Sequence, residues 1–181
     1  VSYSQSLKQA PDLSVSQWFN TKEPITLENL RGKVVVIEAF QMLCPGCVQH
    51  GLPLAQRIRE HFPAEKVAVL GLHTVFEHHN AMTPISLKAF IHEYRLDFPI
   101  GVDEAGINVI PKTMEAYQLR GTPSLIIIGQ EGHLLANYFG HISDMQVASE
   151  ITRLIYRQNV SQTSTTQDDR KSGCDESGCT I

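Results

Sequence analysis

Nowhere in the 181 residues does an apolar run approach the length that a bilayer requires. The longest runs, residues 34–37 and 125–128, are a few Val, Leu and Ile in a row, against the roughly 20 apolar residues of a spanning helix. Residues 1–12 also lack the charged start and apolar centre of a leader. From these absences we expect no membrane span in this chain and, on balance, a cytoplasmic location; an extracytoplasmic one is expected if a leader was removed ahead of Val1. Basic clustering is missing as well. Fifteen Lys and Arg against 19 Asp and Glu leave a net charge of −4. They are scattered, with no aromatic-interleaved stripe to follow a phosphate backbone, which argues against nucleic acid as a partner.

Cysteine is scarce. Four residues fall as two close pairs, Cys44/Cys47 and Cys174/Cys179, with none between them. A structural framework would join distant segments of a small chain, whereas these pairs would close only tiny loops, so the pattern suits reactive thiols. A four-cysteine zinc site would need both pairs to converge, and only one has the usual zinc-ribbon spacing. Haem attachment needs His directly after the second cysteine, where Val48 stands. A protein that uses soft thiolates to hold or deliver a metal or metalloid stays open as an alternative.

What is present centres on Gln41-Met42-Leu43-Cys44-Pro45-Gly46-Cys47-Val48. Residues 33–40 ahead of it are β-branched and almost continuously apolar, as in a strand covered on both faces. Residues 45–62 after it place Val48, Leu52, Ala55 and Ile58 at helical spacing, with Pro53 as a kink. If Cys44 caps that helix, Pro45 takes the first helical position, where a missing N–H costs nothing, and Gly46 admits another backbone closely. Cys47 then lies one turn in, on the face of Cys44, so that a disulfide opens and closes without refolding. The helix dipole, worth about 0.3–2 kcal/mol, favours a thiolate there.

Further along, residues 1–31 suggest a hairpin with a short strand at 25–27. A strand at 66–72 follows, parallel to the first through a right-handed crossover. Thr83-Pro84 opens a helix, residues 98–102 form a strand, and residues 113–118 a helical turn. Thr122-Pro123 runs into a strand at 124–128, the turn at 129–132 leads to a strand at 133–140, and Ser143 caps a last helix. Residues 158–181 are Ser-, Thr-, Gln- and Asp-rich and cannot bury a core, so a domain over 1–157 and a disordered tail are expected.

This order, with Cys-Pro-Gly-Cys after the first long strand and Thr122-Pro123 before the later one, resembles the thioredoxin fold. More narrowly, it resembles the TlpA/ResA-type thiol:disulfide oxidoreductases, over about residues 12–157. The resemblance implies an α/β fold with an N-terminal hairpin, an inserted helix-strand unit at 83–102 and a central mixed sheet flanked by helices. It implies a reductase of protein or small-molecule disulfides, served by an upstream thiol reductant and needing neither cofactor nor metal. Cys44 would attack and Cys47 resolve. Pro123 would be cis and lie against the dithiol, and the backbone at Thr122 would pair with a substrate chain. Glu38, six residues before Cys44, stands where the family holds a buried acid that handles the Cys47 proton. A carboxyl set amid Val, Ile, Ala and Phe should be desolvated and its pKa raised. Glu replaces the more usual Asp, and Leu43 the more usual Trp.

Peroxidase activity is the runner-up, but Gln41 stands where peroxiredoxins place a Thr. Glu77-His78-His79 reads as a solvated loop, and His73 as a packed or solvent-facing histidine at the active-site edge. Cys174 and Cys179, flanked by glycines at the end of a polar linker, form a candidate second dithiol that could relay electrons to Cys44/Cys47. A passive tail and a metal clip are the alternatives.

Overall fold

The structure, a computed structural model, describes residues 8–162, with side-chain surroundings to residue 156. Its strands are β1 (Val15–Phe19), β2 (Val34–Phe40), β3 (Val67–His73), β4 (Ile100–Asp103), β5 (Ser124–Ile128) and β6 (Leu134–Phe139). Its helices are α1 (Leu52–His61), α2 (Pro84–Glu93), α3 (Lys112–Ala116) and α4 (Asp144–Gln162). The six strands form one sheet in the order β1-β4-β3-β2-β5-β6. β2, β3 and β4 run parallel, while β5 is antiparallel to both β2 and β6. This is the mixed α/β sheet that the resemblance implied.

All seven residues of β2 are buried, because the strand is paired on both sides and covered on both faces. Alternation divides its side chains between two cores. Val34, Val36 and Phe40 pack with Leu52, Ala55 and Ile58 of α1, Leu87 of α2 and Ile151 of α4. Val35, Ile37 and Ala39 pack on the other side with Leu70, Met114 and Tyr117. Each fully buried apolar side chain contributes about 1.5–3 kcal/mol. Glu38, in phase with Val36 and Phe40, is thereby directed to the face that carries α1.

The chain is helical from Pro45 to His61, yet not uniformly so. Cys47–Gly51 forms a π-turn, closed by the Leu52 N–H on the Cys47 carbonyl, before α1 begins. The kink expected at Pro53 takes this form: proline offers no N–H to the preceding turn, and the ladder widens just ahead of it.

The expected N-terminal hairpin does not form among the described residues. The strand expected at 25–27 is absent: Thr26 Oγ1 accepts the Asn29 N–H at 3.3 Å, and residues 28–30 directly after it make a 3-10 turn. β1 instead crosses to the far edge and pairs antiparallel with β4. Asn20, at φ 58°, fixes that crossing with amide hydrogen bonds to the Leu96 and Phe98 carbonyls at 2.7 and 3.0 Å. Other boundaries move for local reasons. Pro99 has no N–H to give, so β4 starts at Ile100. α4 runs to Gln162, past the change in composition at residue 158. The expected caps hold, with Thr83 accepting from Ser86 N–H at 3.2 Å and Ser143 from Gln146 N–H at 3.4 Å. No helix among the described residues is long and apolar enough to cross a membrane.

Candidate active site

β2 ends at Phe40, and a turn closed by Cys44 N–H on the Gln41 carbonyl (3.1 Å) brings Cys44 to the helix start. Its carbonyl accepts from Val48 N–H at 3.1 Å and its Sγ accepts from Cys47 N–H at 3.2 Å. Cys44 is thus the cap, and its sulfur takes up one of the donors that a helix start leaves unpaired. When the pair is reduced, the same N–H stabilises a thiolate. Cys44 and Cys47 are joined as a disulfide with Cα atoms 5.3 Å apart. The two sulfurs are not equivalent: Cys47 is fully buried, whereas Cys44 is partly open to solvent.

The Thr122–Pro123 peptide is cis. The Thr122 carbonyl oxygen lies 3.5 Å from Cys44 Sγ; in the disulfide the sulfur carries no proton, so this is a contact that a Cys44 thiol could turn into a hydrogen bond. Pro123 sits against the helix start between two glycines. A β-carbon on Gly46 would lie 3.3 Å from Pro123 Cδ, and one on Gly51 would lie 3.1 Å from Pro123 Cβ. The group admitted by Gly46 is therefore the Pro123 ring, where the sequence suggested a backbone.

Glu38 is 1% exposed, and its Oε1 has no hydrogen-bond partner among the described residues. Burial pushes its carboxyl well above the ordinary glutamate value. It lies against Gly51, four residues after Cys47 and so on the same helix face. A crevice of about 10 Å³ opens beside it, lined by His50, Gly51, Pro123, Gly140 and His141 among others.

His73 is buried, and its Nε2 accepts the Met42 N–H at 3.4 Å, which leaves the ring proton on Nδ1. Burial lowers its pKa to about 4, so the ring is neutral. It braces the turn ahead of Cys44 and is the packed histidine of the two expected alternatives. Gln41 is buried, accepts the Phe76 N–H at 3.2 Å and donates to Glu77 at 3.3 Å. Leu43, next to Cys44 in the chain, is 55% exposed, and Phe139, packed against Gly121 next to Thr122, is 50% exposed. The Arg120 guanidinium stands 5.3 Å over the Phe139 ring.

Sequence reading singled out Cys44, Cys47, Glu38, Thr122 and Pro123, and the fold brings these five to one sheet end. Cys174 and Cys179 lie outside the described residues. Gly51, His50, His141 and Phe139 were missed. Only Gly51 carried a signal: glycine in a helix interior costs about 1 kcal/mol against alanine, and its presence there points to a close neighbour.

Residues 7–136 match the AhpC/TSA family. The thiol-disulfide oxidoreductase ResA of Halalkalibacterium halodurans is 28% identical over 134 residues, 74% of this chain and 68% of that protein. NHL repeat-containing protein 2 of Gallus gallus is 29% identical over 82% of this chain, which spans only 20% of that protein. A solved thioredoxin-like superfamily protein superposes with a TM-score of 0.81 at 62% identity, covering 82% of this chain and 96% of its own. A thiol-disulfide isomerase from Corynebacterium glutamicum superposes with a TM-score of 0.77 at 46% identity, covering 81% and 96%.

Proposed function

The chain belongs to the AhpC/TSA family, and we propose that within it this protein is a thiol:disulfide oxidoreductase that reduces disulfides through Cys44 and Cys47. The observation that carries this reading is the asymmetry of the pair: an accessible sulfur at a helix cap is joined to a buried sulfur one turn in. The thiolate of reduced Cys44, stabilised by the Cys47 N–H and the helix start, attacks one sulfur of a substrate disulfide. A Cys44–substrate disulfide forms and the first substrate thiolate leaves. Cys47 then gives its proton to the Glu38 carboxylate and attacks Cys44 Sγ. The Cys44–Cys47 bond forms, the mixed disulfide breaks, and the second substrate thiolate departs with its electron pair. The two thiols of the protein are oxidised and the substrate disulfide is reduced; an upstream thiol reductant restores the pair.

The surroundings support these roles. The raised pKa of buried Glu38 suits proton exchange near neutrality. The Thr122 carbonyl beside Cys44 supports pairing with a substrate backbone there, and exposed Leu43 and Phe139 offer apolar contact. The peroxidase reading has less support, since Gln41 is buried and both ends of its amide are already engaged by Phe76 and Glu77.

Trapping tests the assignment. Cys47→Ser protein mixed with a disulfide substrate should accumulate a mixed disulfide on Cys44, because nothing then resolves it. If the adduct fails to form, or forms on another cysteine, the division of roles is wrong. A redox titration of the pair fixes the direction: a potential near the reducing end of the fold's range, about −270 mV, favours a reductase and one near −120 mV an oxidant.

A further inference from the structure

Glu38 is placed to receive a proton but has no open way to lose it. Its carboxyl is 1% exposed, its Oε1 is unpartnered among the described residues, and it lies against Gly51, which Pro123 also flanks. The crevice beside it has a volume of about 10 Å³, close to the space that a single water occupies. Two imidazoles line that crevice. His50 comes from the π-turn after Cys47 and His141 from the loop between β6 and α4, and their ring centroids are 4.6 Å apart. Both are exposed to solvent.

We propose that His50 and His141 are a proton relay that connects buried Glu38 to bulk solvent through one water held in the crevice. This rests on the reading of Glu38 as the group that takes the Cys47 proton. In the resolving step Cys47 S–H loses its proton to Glu38 as its sulfur attacks Cys44. Glu38 can take it only once its own proton has passed to the water, whose proton in turn moves to an imidazole nitrogen of His50 or His141 and on to solvent, so that emptying the carboxyl precedes the attack by Cys47. Imidazole suits this passage because its two ring nitrogens can accept a proton on one side and give one up on the other. The charged groups facing the pair are Glu38 beneath it and, beside His141, Asp144, which is hydrogen-bonded at 2.6 Å to Arg57 of α1. Asp144 is held below the usual carboxylate range chiefly by Arg57, with a smaller pull from His141. With Arg57 occupying Asp144, the two imidazoles are the exchangeable groups at the mouth.

The test uses the 181-residue chain with Cys174 and Cys179 changed to Ser, so that only the Cys44/Cys47 pair reacts with 5,5′-dithiobis(2-nitrobenzoate). The first thionitrobenzoate released reports attack by Cys44, and the second reports resolution by Cys47. In the His50→Asn/His141→Asn variant the first release should be unchanged, and the second should slow about tenfold, with recovery on adding free imidazole. In Glu38→Gln the second release should slow and stay slow with imidazole, because the acceptor itself is missing. An unchanged second release in the double histidine variant, or a slowed one that imidazole does not restore, overturns the relay. An unchanged second release in Glu38→Gln overturns the role of Glu38 and, separately identifiable, the relay with it.

Discussion

The carboxyl of Glu38 occupies the space that a side chain at Gly51 would need. A β-carbon built on Gly51 falls 2.8 Å from Glu38 Cδ, closer than real β-carbons approach, and 3.1 Å from Pro123 Cβ. A glycine in the π-turn after Cys47 thus lets the helix, the buried acid and the proline meet at one point. Four measurements follow from this arrangement and its neighbours.

Gly51→Ala makes a sharp test because two effects oppose each other. At φ −63° and ψ −57° the position is helical, and alanine there would ordinarily stabilise by about 1 kcal/mol. The clash with Glu38 should reverse the sign, with a loss of about 1–3 kcal/mol in urea unfolding and slower resolution by Cys47. A gain in stability with normal kinetics would mean that Glu38 moves aside freely.

Replacing Glu38 by Gln should raise stability increasingly as pH rises. Glu38 keeps its proton to a higher pH in the folded protein than in the unfolded chain, where it ionises around the ordinary value of 4.5. Between that value and the higher folded one the native state binds more protons, so stability falls with rising pH and then levels off. Glutamine has no such dependence. Urea unfolding at pH 5 and pH 8 should show the variant's advantage larger at pH 8; an advantage that shrinks toward pH 8 would contradict a carboxyl whose pKa burial raises.

His73 should act in the opposite sense. Its folded pKa is lowered from 6.5 to about 4, so on acidification the unfolded chain takes up a proton first. Stability present above pH 6.5 should be lost as pH falls toward 4, by on the order of 3 kcal/mol from this group. His73→Gln keeps an acceptor for the Met42 N–H and should flatten the difference between pH 6.5 and pH 4. Parallel curves for the two proteins would show that His73 titrates alike folded and unfolded.

Removing residues 163–181, beyond the end of α4, tests the expected second dithiol at Cys174 and Cys179. As an electron relay the tail should be needed for rapid turnover with a protein dithiol as reductant. It should be dispensable for the reaction of Cys44 with a small disulfide. Equal turnover of the shortened and full chains in both assays would leave the tail without that role.

The sequence by itself determined the features that rest on neighbours along the chain. A run of seven apolar or desolvated residues predicts β2, and Cys44-Pro45 predicts the capped helix start, because backbone pairing and capping are decided within a few residues. Period-2 alternation directs Glu38 to the helix-bearing face once β2 is accepted as a strand. Tertiary structure decided the rest. β1 chose β4 over a local hairpin because Asn20 reaches the Leu96 and Phe98 carbonyls, a register that no local pattern specifies. The crevice beside Glu38 needs His50 from the turn after β2 and His141 from the loop after β6, brought together because β5 pairs with β2 and β6 with β5. Separation along the chain hides such a pair, since a histidine in a loop shows no partner until the sheet has closed.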